Sequence, residues 1–173
     1  MSNAASHERE RSRGLLQPTQ MGLLTHAVAA TQLTTERVFA PAALRETVDA
    51  FLPNRVSVNH RQAIRQRVVT ALMVYRNELV PTGWRFVSAE QIARDIKLDL
   101  VWQTGDGTYV ADELKTGSWP TSRLPAMQRQ CAAQCLAGRD VFGDRFEMVR
   151  LVIPAARRIG EMRMSTFGEF QWL

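Results

Sequence analysis

Apolar residues recur along this chain with two different periods, and the change from one to the other divides it. Residues 19–32 (TQMGLLTHAVAATQ) carry their apolar positions at helical spacing and predict a short helix. From Pro41, a residue suited to a first helical turn, Leu44, Val48 and Phe51 repeat at the same spacing until Pro53 stops them. A third helix is expected after Asn59 as its cap, with Ile64, Val68, Leu72 and Tyr75 along one stripe. Pro81 and Gly83 break the helical pattern.

Beyond them the period shortens to two. The segments WRFVSAEQ (84–91), DIKLDLVWQT (95–104) and TYVADELKT (108–116) predict three strands, and Gly-Asp-Gly at 105–107 closes the last two into a hairpin. Leu124, Met127, Cys131 and Cys135 then restore a helical stripe over residues 122–138, with Gly138 expected to end it. FEMVRLVIP (146–154) predicts a buried strand and RIGEMRMSTF (158–167) a last one. The expected class is α/β: a polar tail over 1–18, a helical extension over 19–57, and a domain over 58–173 with the order helix, three strands, helix, strand.

Composition narrows this picture. The 173 residues suit one domain with a real core, and 45% apolar residues exclude disorder throughout. No apolar run approaches the ~18–20 residues of a membrane helix, and no secretory leader is legible, so the expected compartment is the cytoplasm. Cys131 and Cys135 are the only cysteines, too few for a four-cysteine metal site or a disulfide framework, and they are expected in the core. The formal charge of +5 favours polyanionic partners, nucleic acid first among them.

The candidate chemistry sits in the hairpin. Alternation along the third strand puts Glu113 and Lys115 on one face and Asp112 on the other, where a structural or solvent-facing role is expected. Asp99 lies among apolar neighbours on the preceding strand, within reach of Glu113 across the tight turn. Two carboxylates with a carbonyl and waters suit a hard cation such as Mg2+ or Mn2+. Lysine usage adds weight: of 22 basic residues only Lys97 and Lys115 are lysine. A compact ammonium differs from arginine's fixed fork in geometry and tunability, so a lysine kept here points to its chemistry.

Asp99 followed by Glu113-Leu114-Lys115, set in this order of elements, resembles the PD-(D/E)XK nuclease superfamily. Lys115-Thr116-Gly117 is most similar to its RecB-like and CRISPR-adaptation exonuclease branch. The resemblance spans residues 58–154 and implies a restriction-endonuclease-like core (α-β-β-β-α-β), a mixed sheet flanked by helices. It implies Mg2+ or Mn2+ held by Asp99 and Glu113, with Lys115 positioning water for phosphodiester hydrolysis, DNA being the expected substrate. Supporting roles fall to Gln130 on the following helix, Glu90 on the first strand and His60 as the upstream histidine. Gln134 stands where the branch carries tyrosine, and the iron–sulfur cysteines of some members are absent.

Arg61, Arg65, Arg123 and Arg129 are candidate phosphate contacts, and Trp119 is a candidate stacking ring. No Gly-x-x-x-x-Gly-Lys motif occurs, so any ATP-driven motor would be a protein partner in a larger complex. Two other readings stand beside the nuclease. One is an inactive nuclease-fold subunit that binds nucleic acid or serves as a scaffold. The other is a small regulatory α+β protein in which Asp99, Glu113 and Lys115 form a solvated ion pair worth about 0–1 kcal/mol.

Overall fold

The computed structural model describes residues 16–36, 39–54, 56–117 and 123–173. Among the described residues three helices come first: α1 (Pro18–Thr34), α2 (Pro41–Phe51) and α3 (Val58–Val74). Ser57, not Asn59, caps α3, because its hydroxyl accepts the His60 N–H at 3.4 Å and so satisfies an otherwise orphaned donor. A π-helical turn, Tyr75–Leu79, continues α3. Gly83, at φ 86°, then turns the chain into the sheet.

The six strands lie in chain order: β1 (Arg85–Ala93), β2 (Ile96–Gln103), β3 (Tyr109–Leu114), β4 (Phe146–Ile153), β5 (Arg158–Arg163) and β6 (Gln171–Trp172). Neighbours are antiparallel except β3 and β4, which are parallel. A parallel pair needs a long crossover, and α4 (Leu124–Phe142) provides it. The fold is therefore mixed α/β.

Each face of the sheet has its own core. Val28, Leu44, Ile64, Val68 and Leu72 from the first three helices bury against Leu100, Trp102, Leu114 and Val152. On the other face, Cys131, Cys135 and Ala137 of α4 meet Val101, Ala111, Val149 and Leu151. The 19–57 segment thus shares a core with the sheet. The Cys131 and Cys135 thiols are wholly buried, and burial pushes them up to about 12 and about 11, so both stay protonated packing groups.

Gly138 does not end α4. It sits inside the helix, where a Cβ would lie 2.3 Å from the Phe146 ring, so its bareness lets helix and strand approach. Gly143, at φ 62°, closes the helix instead. Among the described residues no helix is long and apolar enough to cross a membrane.

A buried polar network locks β3 in place. Arg150 on β4 clamps Asp112 with two hydrogen bonds of 2.7 Å, and its remaining nitrogen donates to the Leu79 carbonyl at 3.0 Å. The Tyr75 hydroxyl donates to Asp112 at 2.7 Å and accepts from the Trp102 indole at 2.9 Å. The Arg150 guanidinium also lies 4.4 Å from the Trp84 ring centroid. Asp112 is fully buried and Arg150 is 2% exposed, so every charge here relies on these partners. Asp112→Ala is expected to lower unfolding free energy by about 3–5 kcal/mol, because it strands a buried guanidinium. Chemical denaturation should further show that Arg150→Met, added to Asp112→Ala, recovers part of that loss.

Candidate active site

The ladder between β2 and β3 stops at Leu100–Asp112, one step before Asp99 and Glu113. Beyond that point β3 remains joined to β4, through Leu114–Val152 and the Lys115 N–H donated to the Val152 carbonyl at 2.9 Å. On the β2 side the Leu114 N–H finds the Asp99 carboxylate instead, at 3.3 Å. Strand alternation also breaks here: Leu98 packs in the α4 core and Leu100 in the opposite one, though they are two residues apart. Asp99 thus occupies an opening in the sheet.

His26 of α1 fills part of that opening. Its Nδ1 lies 3.3 Å from Asp99 Oδ2, and its Nε2 lies 2.6 Å from the Leu114 carbonyl oxygen. A carboxylate and a carbonyl both only accept, so satisfying both contacts requires a doubly protonated, cationic ring. Burial pushes the His26 pKa down, but the hydrogen bond and charge of Asp99 outweigh it, and the net value is raised. Burial likewise pushes Asp99 up, and His26 with Lys97 reverses this to a net lowering.

Glu113, 3% exposed, faces α4. One oxygen is bound by the Lys115 ammonium, and the other accepts from Gln134 Nε2 at 2.5 Å. Gln134 Nε2 also donates to the Lys97 carbonyl at 2.9 Å, tying α4 to β2. Lys115 reaches Gln130 Oε1 as well, at 3.1 Å. Burial and then the nearby Asp99 charge raise the Glu113 pKa against the pull of Lys115 and Gln134.

Other candidates separate into those at the opening and those elsewhere. Lys97, Asp99, Lys115, His26 and Arg123 line one cavity of about 330 Å³. Glu90, set beside Asp99 by the β1–β2 register, lines a small recess with His26 and Asp99 and pairs with Lys97 at 2.9 Å. Arg61 and Arg65 are held by Asp49 of α2, at 3.5 and 2.6 Å, and so tie two helices together. Arg129 is exposed on α4 beside Gln130. His60 lies in the first turn of α3, its N–H bonded to Ser57; His26 is the histidine that meets Asp99. Trp119 falls outside the described residues.

Three participants escaped sequence reading. His26 stands 73 residues before Asp99, in a helix whose orientation no local pattern specifies. Gln134, noted only as standing where the branch carries tyrosine, is 1% exposed and bonded to Glu113. Lys97 carried a usable signal, since both lysines of an arginine-rich chain line the same cavity.

The donors suit a hard divalent cation by chemistry: two carboxylates, the Leu114 carbonyl and an imidazole. In this arrangement protein cations hold that ground, His26 on Asp99 and Lys115 on Glu113. Consistent with this, among the described residues no three His, Cys, Asp or Glu side chains are grouped to hold a metal ion. His26 would have to lose a proton before serving as a ligand. The chain matches no known family model and no curated protein sequence.

The site sets a pH dependence for the metal-free protein. His26 is raised, so its contribution is full below its ordinary value of 6.5 and is lost as pH climbs through the folded value. Glu113 is also raised, so its unfolded form ionises first above 4.5 and stability again falls with rising pH. Asp99 is lowered, so its contribution is present above 3.8 and is lost as pH falls through the folded value. Thermal unfolding in a chelator should therefore show declining stability from mildly acidic to mildly alkaline pH. His26→Gln should flatten the part of that decline above 6.5.

Proposed function

We propose that this chain is a divalent-metal-dependent nuclease with a restriction-endonuclease-like core, hydrolysing phosphodiester bonds in DNA. One observation carries the reading. Where β2 and β3 cease pairing, Asp99, Glu113, Lys115, His26 and the Leu114 carbonyl converge, and an amide side chain from α4 orients the second acid. The order of α3, β1–β3, α4 and β4, with β3 parallel to β4, supports the same reading.

The roles follow from placement. Asp99, Glu113, the Leu114 carbonyl and neutral His26 would hold Mg2+ or Mn2+, which when bound supplies positive charge to polarise a phosphodiester oxygen and acidify water. With Glu113 engaged by such a cation, Lys115 would position a water and neutralise charge developing on phosphate. Gln130 keeps the ammonium near the reacting region, and Gln134 fixes Glu113 from behind. Lys97 and Arg123, on the cavity wall, would meet the phosphate on either side of the scissile bond.

A second reading has its own observation. The two acids are already neutralised internally by His26 and Lys115, as suits a nuclease fold kept for binding. Incubation with linear and circular DNA and with RNA, with Mg2+ or Mn2+ and with chelator, separates the two. The nuclease reading expects cleavage with metal alone, and Lys115→Ala should lower turnover by about 10²–10⁴-fold while leaving the fold intact. Binding without cleavage under either metal would instead establish the non-catalytic subunit.

A further inference from the structure

A cavity larger than the one at the opening lies outside this site. It encloses about 930 Å³ between the C-terminal end of α1, the π-helical turn and the start of β1. Its walls include the aromatic rings of Phe39, Trp84 and Phe86, all part-buried, with the guanidinium groups of Arg76 and Arg85 beside them. Trp84 is held from behind by Arg150, 4.4 Å from its ring centroid, and Phe86 packs edge-on against buried Trp102 at 5.6 Å. Both rings are therefore fixed before anything binds. Arg76 lies over Trp102 at 5.8 Å, and Arg85 donates to Gln103 at 2.6 Å. Among the described residues neither guanidinium is paired with a carboxylate. Among the described residues Glu36 is the one acid on the wall.

Position relates this cavity to the catalytic opening. His26 and Gln32 share α1, six residues or about 9 Å apart along its axis. Glu90 and Phe86 share β1, about 13 Å apart along the strand. A chain of nucleotides reaching from one to the other needs only a few residues.

We infer that this cavity is a nucleobase subsite, and that the substrate is single-stranded nucleic acid. Fixed aromatic rings offer a stacking platform, the Arg76 and Arg85 guanidinium groups meet the adjoining phosphates, and Glu36 accepts from an exocyclic amine. A base stacked and paired in a duplex cannot enter such a recess, whereas a single strand splays its bases freely. The inference rests on the nuclease reading for its substrate class, but its binding step needs neither metal nor Lys115.

The test uses the full chain in chelator with a fluorescent single-stranded DNA 12-mer, the same sequence as RNA, and the blunt DNA duplex. Anisotropy titrations should give single-strand binding at least about tenfold tighter than duplex binding. The Arg76→Gln, Arg85→Gln double variant, with its fold checked by thermal melting, should weaken single-strand binding about tenfold. It should reduce the salt slope by about 1.4, the loss of two phosphate contacts. With metal restored, KM for single strands should rise and kcat hold. The DNA and RNA arms identify which sugar is taken. Equal affinity for single strand and duplex, absence of binding to either, or a double variant that binds as the wild type would overturn the inference. Cleavage with an unchanged KM in the double variant sinks this subsite alone. Single-strand binding lost in the double variant, without any cleavage, sinks the nuclease reading alone.

Discussion

The Asp112–Arg150 pair is the constraint on which the site depends. It spans β3 and β4, and all its polar contacts are made inside the protein. Burial makes each ion costly alone, so the two must stay together, and with them β3 and β4. Tyr75 and Leu79 add the π-helical turn to the same knot, which orients α3 against the sheet. Adjacent residues on a strand point to opposite faces, so a fixed Asp112 sends Glu113 toward α4.

The opening beside this anchor gathers opposite charges at close range. Two buried carboxylates would repel each other and resist burial, and the chain answers with His26 and Lys97 at Asp99 and Lys115 at Glu113. Their environments push them apart: Asp99, beside the imidazolium, is lowered, and Glu113, buried behind it, is raised. Burial and mutual repulsion act on both acids, and the different cations beside them decide the opposite directions. The two lysines belong to this setting, since a compact ammonium fits where a planar guanidinium would not.

Helical and strand periods in the sequence were enough to place most elements, and the hairpin made Asp99 and Glu113 neighbours on adjoining strands. Other positions were not legible because their causes lie in distant chain. Gly138 reads as a helix end until Phe146, on another element, is seen to need its missing Cβ. Arg61 and Arg65 read as free phosphate contacts until Asp49 of α2 is seen beside them. Asp112, a polar residue in a strand, shows its structural role only once Arg150 and Tyr75 arrive.

By itself the sequence determined the succession of helices and strands, the turn that pairs β2 with β3, and the strand parity that sets Glu113 and Lys115 together. These are local matters, decided by side-chain period and turn chemistry over a few residues. Tertiary structure alone decided which histidine meets Asp99, that Gln134 turns inward to Glu113, and that Lys97 joins Lys115 on one cavity wall. Those choices depend on how α1 and α4 pack over the two faces of the sheet. That packing is set by the summed burial of many side chains, and no single stretch of sequence records it.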